Sequence, residues 1–243
     1  PGWALAVDAL TCLLSIPLLA RVRLPARDRV HAGEHGAGAS MWADLREGWG
    51  EFVARTWLWV IVAVFGVLNA IHIGAEGVLG PLIAKGAPEI GEAGWGLVLS
   101  AQAIGTVIST IVLLRIRLRR PLVAGMLAIS TISIPLALLA LTPSTAPLAV
   151  GFLGAGACME VFGVGWLTAL QQHIPEAVLS RVSSYDALGS FVAMPIGALA
   201  YGWLATSFDR RTVLLVSAVA YAVLSLSTLA LPSVRGLRQL ETD

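Results

Sequence analysis

The chain of 243 residues is 57% hydrophobic and 13% charged, with a mean hydropathy of +0.81 and a formal net charge of +1. This composition excludes an ordinary soluble domain. The arginines lie in short clusters between apolar runs, which gives no indication of a nucleic-acid partner. Cys12 and Cys158 both fall in apolar runs, so we expect neither a disulfide framework nor a cysteine metal site.

Seven apolar runs dominate the sequence, and each is close to the length of about 20 residues that spans a bilayer as a helix. Basic clusters or turns rich in glycine and proline separate most of them. We therefore predict an all-α membrane protein with seven transmembrane helices. The runs cover 3–20, 57–84, 94–114, 121–141, 147–170, 185–207 and 212–231.

Basic residues are concentrated in alternate loops. One side of the membrane would hold most of the arginines, whereas the other would hold only Lys85, Arg210 and Arg211. The positive-inside rule then places residue 1 outside and the tail at 232–243 in the cytoplasm. Tryptophans near the span ends predict an aromatic belt at the two interfaces; they are Trp3, Trp57, Trp59, Trp95, Trp166 and Trp203.

The segment 21–56 is the only long loop, and we predict it to be cytoplasmic. Its first part is basic and then glycine-rich, which is typical of a flexible linker. A helix capped by Ser40 would then place Trp42, Trp49 and Phe52 on one side. Two interpretations remain open, namely an amphipathic helix in the membrane interface and a helix packed on the protein itself.

Asn69, His72 and Glu76 are spaced so that all three share one face of the second span. Glycines and Pro81 follow closely and weaken the helix, and a weakened helix commonly lines a cavity. We place Glu76 near the outer edge of the membrane, in an aqueous vestibule. These residues are candidates for a proton or substrate site, and interhelical hydrogen bonding is the structural alternative.

Glu160 lies near the middle of the run 147–170, where an ionisable side chain is costly. It is a candidate to hold a proton or to pair with a cationic solute, and the alternative is a hydrogen-bonded structural carboxyl. Gln102 in the third span is a possible substrate contact, although such a residue near an interface is often simply hydrated.

The sixth span carries a candidate gate. Ser183 and Asp186 have the spacing of a capping box that would open this helix, with Arg181 just before it. As a gate, Asp186 and Arg181 would pair and separate. Small residues at a spacing of four allow close helix contact, and a proline kinks a helix, which fits either a moving helix or static packing; they are Gly189, Gly197 and Pro195.

The last six spans contain a faint internal repeat. The stretches 99–125 and 189–215 each combine a span rich in small residues, a basic pair and an uncharged span. Such an arrangement of three plus three helices suggests inverted-topology repeats.

Several stretches resemble the carboxyl-terminal half of a major facilitator superfamily transporter, in the bacterial drug-efflux and siderophore-export branch. EVFGVGW at 160–166, TALQQHIP at 168–175 and SRVSSYDALGS at 180–190 are similar to its tenth-to-eleventh helix segment. DLREGW at 44–49 and RTWLW at 55–59 resemble its approach to helix seven. The superfamily's loop motif survives only as Arg119-Arg120.

The resemblance implies that residues 1–20 are the last helix of an amino-terminal half and that 57–231 form the carboxyl-terminal six-helix bundle. Helices seven and ten would line a central cavity, eight and eleven would rock, and nine and twelve would be outer supports. The sequence begins with Pro1 and an apolar run without a basic leader. We therefore expect no signal peptide but the carboxyl-terminal part of a longer protein.

The function implied is that of a proton-coupled exporter of amphipathic organic solutes, such as drugs or siderophores, in the bacterial inner membrane. Its partners would be the lipid bilayer, protons, the solute and the amino-terminal half of the same transporter. The alternative is a non-transporting membrane protein, either a truncated paralogue or an assembly partner. No metalloprotease, hydrolase or phosphate-loop motif is present, so we expect neither an enzyme nor a cofactor.

Overall fold

A computed structural model describes residues 2–21 and 37–239. Within these ranges all regular structure is helical and no strand occurs, so the prediction of an all-α protein is confirmed. The predicted flexible linker falls largely on residues 22–36, which lie outside the described residues, as does the end of the predicted tail at 240–243.

The chain divides into two compact units, Pro1–Trp42 and Ala43–Asp243. Helix α1 (Gly2–Ala20) belongs to the first, and helix α2 (Ala37–Ala54) crosses the boundary. The bundle in the second unit comprises α3 (Thr56–His72), a π-helical segment (Ile73–Leu79), α4 (Gly80–Gly86), α5 (Gly91–Leu113), α6 (Pro121–Ser130), α7 (Ser133–Leu141), α8 (Thr145–His173), α9 (Glu176–Ser207), α10 (Arg210–Ser227), a 3₁₀ turn (Thr228–Ala230) and α11 (Pro232–Arg235).

Six of the seven predicted spans are helices long and apolar enough to cross a membrane. They fit a multi-pass membrane protein and cover Thr56–Gly86, Gly91–Leu113, Pro121–Leu141, Thr145–His173, Glu176–Ser207 and Arg210–Ala230. In α1 only the shorter stretch Ala6–Ala20 is an apolar helix by this measure. The first predicted span, 3–20, is therefore not confirmed at full length.

Polar side chains within the spans are largely satisfied by their own helices. Hydroxyl groups donate to the carbonyl three or four residues earlier; examples are Thr110 to Thr106 at 2.9 Å and Ser217 to Val213 at 2.7 Å. Such back-bonding removes the cost of an unpaired hydroxyl in a medium without water.

The span at 121–141, predicted as one helix, is interrupted between α6 and α7 at Thr131 and Ile132. Pro135 lies four residues after Thr131 and has no N–H to donate to its carbonyl. The amide of Ile134 bonds that carbonyl instead, at 2.9 Å, which tightens the local turn.

The bundle is held together by two closely packed helix pairs. Helix α3 and the π-helical segment pack along α9, and α5 packs along α8. In each pair, contacts at higher residue numbers on one helix involve higher residue numbers on the other. Along α3 and α9 the contacts run from Gly66–Gly189 to Gly74–Tyr201. Along α5 and α8 they run from Trp95–Phe152 to Gln102–Gly156. Both pairs are therefore parallel. Helices α6 and α7 pack on α8 and α10.

Small residues make the α3–α9 contact possible. A Cβ added at Gly66 would lie 3.0 Å from the Gly189 carbonyl oxygen, and one at Gly197 would overlap the backbone of Ala70. The predicted stripe with Gly189 and Gly197 thus faces a second stripe on α3. This geometry agrees with static close packing.

The α5–α8 contact is equally close. A Cβ added at Gly105 would overlap the Leu153 carbonyl, and one at Gly156 would overlap the Gln102 carbonyl. The Thr106 hydroxyl donates to the Gly156 carbonyl at 3.2 Å. Glycine is therefore required at both positions.

Three further predictions are wrong. Helix α2 begins at Ala37, so Ser40 lies inside it and does not cap it. Helix α9 begins at Glu176 after an N-cap at Pro175, so Ser183 and Asp186 lie inside it and do not form a capping box. Trp57, Trp95 and Trp166 are buried rather than placed in an interfacial belt, because other aromatic rings pack against them. Trp59 and Trp203 are exposed.

The carboxyl-terminal part of α2 packs on α9. Phe52 is buried, and the rings of Trp49 and Phe52 lie 5.4 and 5.9 Å from that of Tyr185. Arg181 donates to Glu47 at 2.6 Å. For the side chains that the structure describes in α2, these contacts favour the interpretation of a helix packed on the protein itself.

We expect Gly105→Ala to destabilise the bundle by about 1–3 kcal/mol, because the added methyl group overlaps the Leu153 carbonyl and the two helices must separate. Gly96→Ala, on the same helix with open space around its Cβ position, is the matched control and should be neutral or slightly stabilising. The measurement is thermal unfolding in detergent. Equal shifts in the two variants would contradict the close packing of α5 and α8.

Asp209 is the N-cap of α10, and its carboxylate accepts from the backbone N–H and the hydroxyl of Thr212, each at 2.9 Å. These bonds hold the pKa of Asp209 below its usual 3.8. Since the folded-state pKa is depressed, the added stability is present above pH 3.8 and is lost as the pH falls through the folded-state value.

We therefore expect the wild-type chain to melt at a higher temperature than Asp209→Asn at pH 7, and this difference to shrink at pH 3. Asparagine can still cap the helix but carries no charge to titrate. Melting curves of both proteins at the two pH values provide the measurement, and a difference that does not depend on pH would contradict the account.

Candidate functional site

The π-helical segment Ile73–Leu79 connects α3 and α4 within one continuous span. The amide of Gly80 bonds the carbonyl of Ala75, five residues earlier. Pro81 has no N–H for the regular bond to Gly77, which helps to disturb the α-helical register here. The weakened helix predicted from the glycines is thus a π-helix, a form often found at functional sites.

Three of the predicted site residues meet at this segment. One carboxylate oxygen of Glu76, Oε2, lies 3.3 Å from Nε2 of His72 and accepts a hydrogen bond from Nε2 of Gln102 at 3.2 Å. Gln102 is on α5, so the contact connects two spans. We call His72, Glu76 and Gln102 the polar cluster.

The cluster is shielded within the bundle. The side chains of His72 and Glu76 are only 14% and 16% accessible, and the span continues past them to Gly86. Among the described residues Glu76 is therefore shielded rather than open to an aqueous vestibule, because neighbouring side chains replace water as its hydrogen-bond partners. Its position near the outer edge of the membrane stays a prediction.

His72 has one buried polar atom without a partner. Its Nδ1 makes no hydrogen bond with any described residue, although Nε2 faces Glu76. A neutral imidazole that donates through Nε2 leaves Nδ1 as a buried acceptor, and an imidazolium leaves it as a buried donor. Such an unsatisfied atom is costly, which marks this side of the cluster for a water or a ligand group.

Two other side chains border the cluster. Asn69, one turn before His72, is buried, as the shared helix face requires. Tyr221 is buried on α10, which contacts the π-helical segment that carries Glu76. Among the described residues no three His, Cys, Asp or Glu side chains are grouped closely enough to hold a metal ion.

Glu160 does not join the polar cluster. It is partly buried on α8, one helical turn after Gly156, which contacts α5. Its carboxylate forms no hydrogen bond or ion pair within the part of the chain that the structure describes. An intramembrane carboxylate without a fixed partner remains a candidate for proton or cation binding.

The two proposed gate residues have different partners. Asp186 accepts a hydrogen bond from the indole N–H of Trp166 at 2.9 Å, whereas Arg181 donates to Glu47 of α2. They are five positions apart on one continuous helix, so they point about 140° apart around its axis. Pro195 lies inside α9 without ending it. The structure therefore shows no pair between Asp186 and Arg181.

An apolar groove of about 920 Å³ runs beside the α3–α9 contact. Its walls include Trp49 of α2, Val67 of α3, and Gly189 and Ile196 of α9. The lining carries no charged side chain, so the groove does not extend the polar cluster.

Some contacts were not predicted from the sequence. The Tyr201 hydroxyl lies 2.5 Å from that of Ser217 in the core between α9 and α10. The rings of Phe65 and Phe162 stack at 4.2 Å, and Phe162 lies nearly parallel to Trp166. The four-residue spacing of Phe162 and Trp166 in the sequence indicates that the two rings share one face of α8. Nothing in the sequence indicates which rings on other helices pack against them.

No protein-family model matches the chain, and no curated protein or solved structure matches it either. The class of protein therefore rests on the structure itself. The described residues form an all-helical protein whose six long apolar helices fit a multi-pass membrane protein.

We expect Glu76→Leu and Gln102→Leu to be non-additive in stability by about 1 kcal/mol, because each removes one side of the same hydrogen bond. The measurement is a double-mutant cycle of unfolding free energies in detergent. Gln171→Leu, at an exposed position of α8, replaces Gln102→Leu in the control cycle and should be additive with Glu76→Leu. Additivity in both cycles would show that the cluster is not formed.

Proposed function

We propose that this chain is part of a secondary active transporter of the major facilitator type. In this proposal it exports amphipathic organic solutes, such as drugs or siderophores, in exchange for protons, and it works by alternating access. The single observation that carries the proposal is the polar cluster, in which a carboxylate, an imidazole and an amide meet between two apolar spans.

Groups of this kind are costly in a bilayer and are found mainly on ion and substrate paths. The carboxylate of Glu76 and the imidazole of His72 can share or exchange a proton at 3.3 Å. The unpartnered Nδ1 of His72 leaves one position for a water or a solute group. The cluster is therefore suited to couple a proton to a bound solute.

The helix packing supports a major facilitator arrangement. The six spans can be divided into two triplets in chain order, in which α3 and α8 are the first helices and α5 and α9 the second helices. The first helix of each triplet packs in parallel on the second helix of the other triplet. Inverted repeats related by a pseudo-two-fold axis would pack in this reciprocal way.

The exposed faces support a second bundle as partner. In the most apolar 18-residue stretch of each span, only 17% of the residues of α5 and 11% of those of α9 are buried, compared with 50% for the span at Thr56–Gly86. Large apolar side chains such as Ile104, Ile108, Phe191 and Ile196 are exposed on these two helices. We propose that they face the amino-terminal half of the transporter, which would supply the opposite cavity wall.

In this proposal Glu160 is a second proton or cation site, and α9, with Gly189, Pro195 and Gly197, moves as a gate. Drugs and siderophores as solutes, and the bacterial inner membrane as location, come from the resemblance alone. The orientation, with residue 1 outside and the carboxyl terminus in the cytoplasm, follows from the distribution of arginines.

We expect Glu76→Gln and Glu160→Gln each to leave expression and membrane insertion intact but to lower proton-coupled export by at least about tenfold, because neither amide can carry the proton. The measurement is proton flux driven by a panel of amphipathic solutes in inverted membrane vesicles that contain the product of the complete gene.

Glu176→Gln, at the exposed start of α9, is the control and should retain full flux. Unimpaired flux in Glu76→Gln would exclude the polar cluster as the coupling site. Absence of flux for every solute, even in the wild-type protein, would favour a non-transporting membrane protein instead.

A further inference from the structure

A group of arginines at one end of the bundle shares no residue with the polar cluster or the apolar groove. Four of them are in the loop 114–120, between the spans Gly91–Leu113 and Pro121–Leu141, and two follow the last span, Arg210–Ala230. All six side chains are exposed. We call them the basic rim, and they are Arg115, Arg117, Arg119, Arg120, Arg235 and Arg238.

The tail that follows the last span is fixed against this loop. The side chain of Val234 is fully buried where α11 packs on α6 and α3, and Leu237 packs against the core. The backbone N–H of Gln239 then donates to the carbonyl of Arg119 at 3.1 Å. The two arginines of the tail are therefore held at the same end of the bundle as the four of the loop.

The basic rim has no carboxylate partner within the part of the chain that the structure describes. Neither the loop nor the described part of the tail contains an Asp or Glu. By contrast, Arg55 pairs with Glu51 and Arg181 with Glu47. Six like charges held together without counter-charges repel one another, so this surface favours an anionic partner from outside the chain.

Apolar side chains alternate with the arginines of the loop. Leu114 is 80% exposed and Ile116 is 54% exposed, although both are large. The flanking spans end at Leu113 and begin at Pro121, so the loop lies where the hydrocarbon core of a bilayer meets the head groups. At this level apolar side chains insert among lipid chains while basic side chains reach the head groups. A soluble anion would leave the apolar side chains uncovered, whereas a lipid covers them.

We propose that the basic rim is a binding surface for an anionic phospholipid. The arginines of the loop and of the tail together neutralise its head group, and Leu114 and Ile116 lie against its acyl chains. Arginine suits this role, because its planar guanidinium can donate two parallel hydrogen bonds to one phosphate. The inference goes beyond the proposed export function and does not depend on it, since lipid binding is measured without transport.

The experiment compares two phospholipids with identical acyl chains, phosphatidylglycerol with a negative head group and phosphatidylcholine with a neutral one. Dissociation constants for the first bound lipid molecule are measured on the purified 243-residue chain by native mass spectrometry in an uncharged detergent. We expect the dissociation constant of phosphatidylglycerol to be at least about tenfold lower, because each arginine near an anionic head group strengthens binding.

Arg119→Gln combined with Arg238→Gln should reduce this preference to about threefold or less, because one charge is lost from the loop and one from the tail. The matched control combines Arg210→Gln with Arg211→Gln. It removes the same charge from the opposite end of α10, beside Asp209, and should keep the full preference.

Equal binding of the two lipids to the wild-type chain would overturn the proposal, and so would an equal loss of preference in the variant and its control. Arg115→Gln with Arg117→Gln should also lower the preference, and this pair decides the question if the first variant fails to fold. Inorganic phosphate, added at constant ionic strength, should leave the preference unchanged. Displacement of the lipid by phosphate would show a surface for soluble anions and contradict a lipid site.

Discussion

The absence of water inside a bilayer is the constraint on which the rest of this structure depends. Every backbone amide in an apolar span must find its partner within the span, which is why all regular structure in the described residues is helical. The same constraint acts on side chains, and most hydroxyl groups satisfy it within their own helix. Glu76 cannot do so through its backbone, because a carboxylate only accepts hydrogen bonds and the N–H groups of the helix are already used. One partner, His72, lies four residues earlier on the same span. The second, Gln102, lies on α5 and is held in place by the packing of two spans.

That packing depends on glycine. Gly80 allows the ring of Trp95 to lie against the start of α4, and Gly105 and Gly156 bring α5 against α8. Together these contacts fix α5 between its two neighbours and hold Gln102 within reach of Glu76. Gly74 allows the Tyr201 ring to lie directly against the π-helical segment. A structural change in this segment would therefore displace side chains of α9, the span with the smallest buried share among the six. In the alternating access that we propose, α9 is the gate helix, and the polar cluster's segment would contact it directly.

The sequence was sufficient for features that depend on local pattern. Hydropathy placed six spans within a few residues, although the first turns of α9, with Glu176 and Arg181, were too polar to be included and its start was placed at Ser183. Helical spacing put His72 and Glu76 on one face. Contacts between spans could not be predicted, because nothing in the local sequence identifies Gln102 as the partner of Glu76 or Trp166 as that of Asp186. Trp57 and Trp166 were assigned to the interface for the same reason, since each is buried by a ring on another helix.

The central claim is that His72 and Glu76 form a hydrogen-bonded pair inside the bilayer-spanning bundle. Rotational-echo NMR on the chain in lipid bilayers tests it most directly, with ¹⁵N in the histidine rings and ¹³C at the glutamate carboxyl groups. The account predicts a ¹⁵N–¹³C dipolar coupling between Nε2 of His72 and the carboxyl carbon of Glu76, of the size expected when a carboxylate oxygen lies at hydrogen-bond distance from Nε2. This coupling should be lost in Glu76→Leu. A His72 ring with no coupling to a carboxyl carbon and with freely exchanging protons would contradict it.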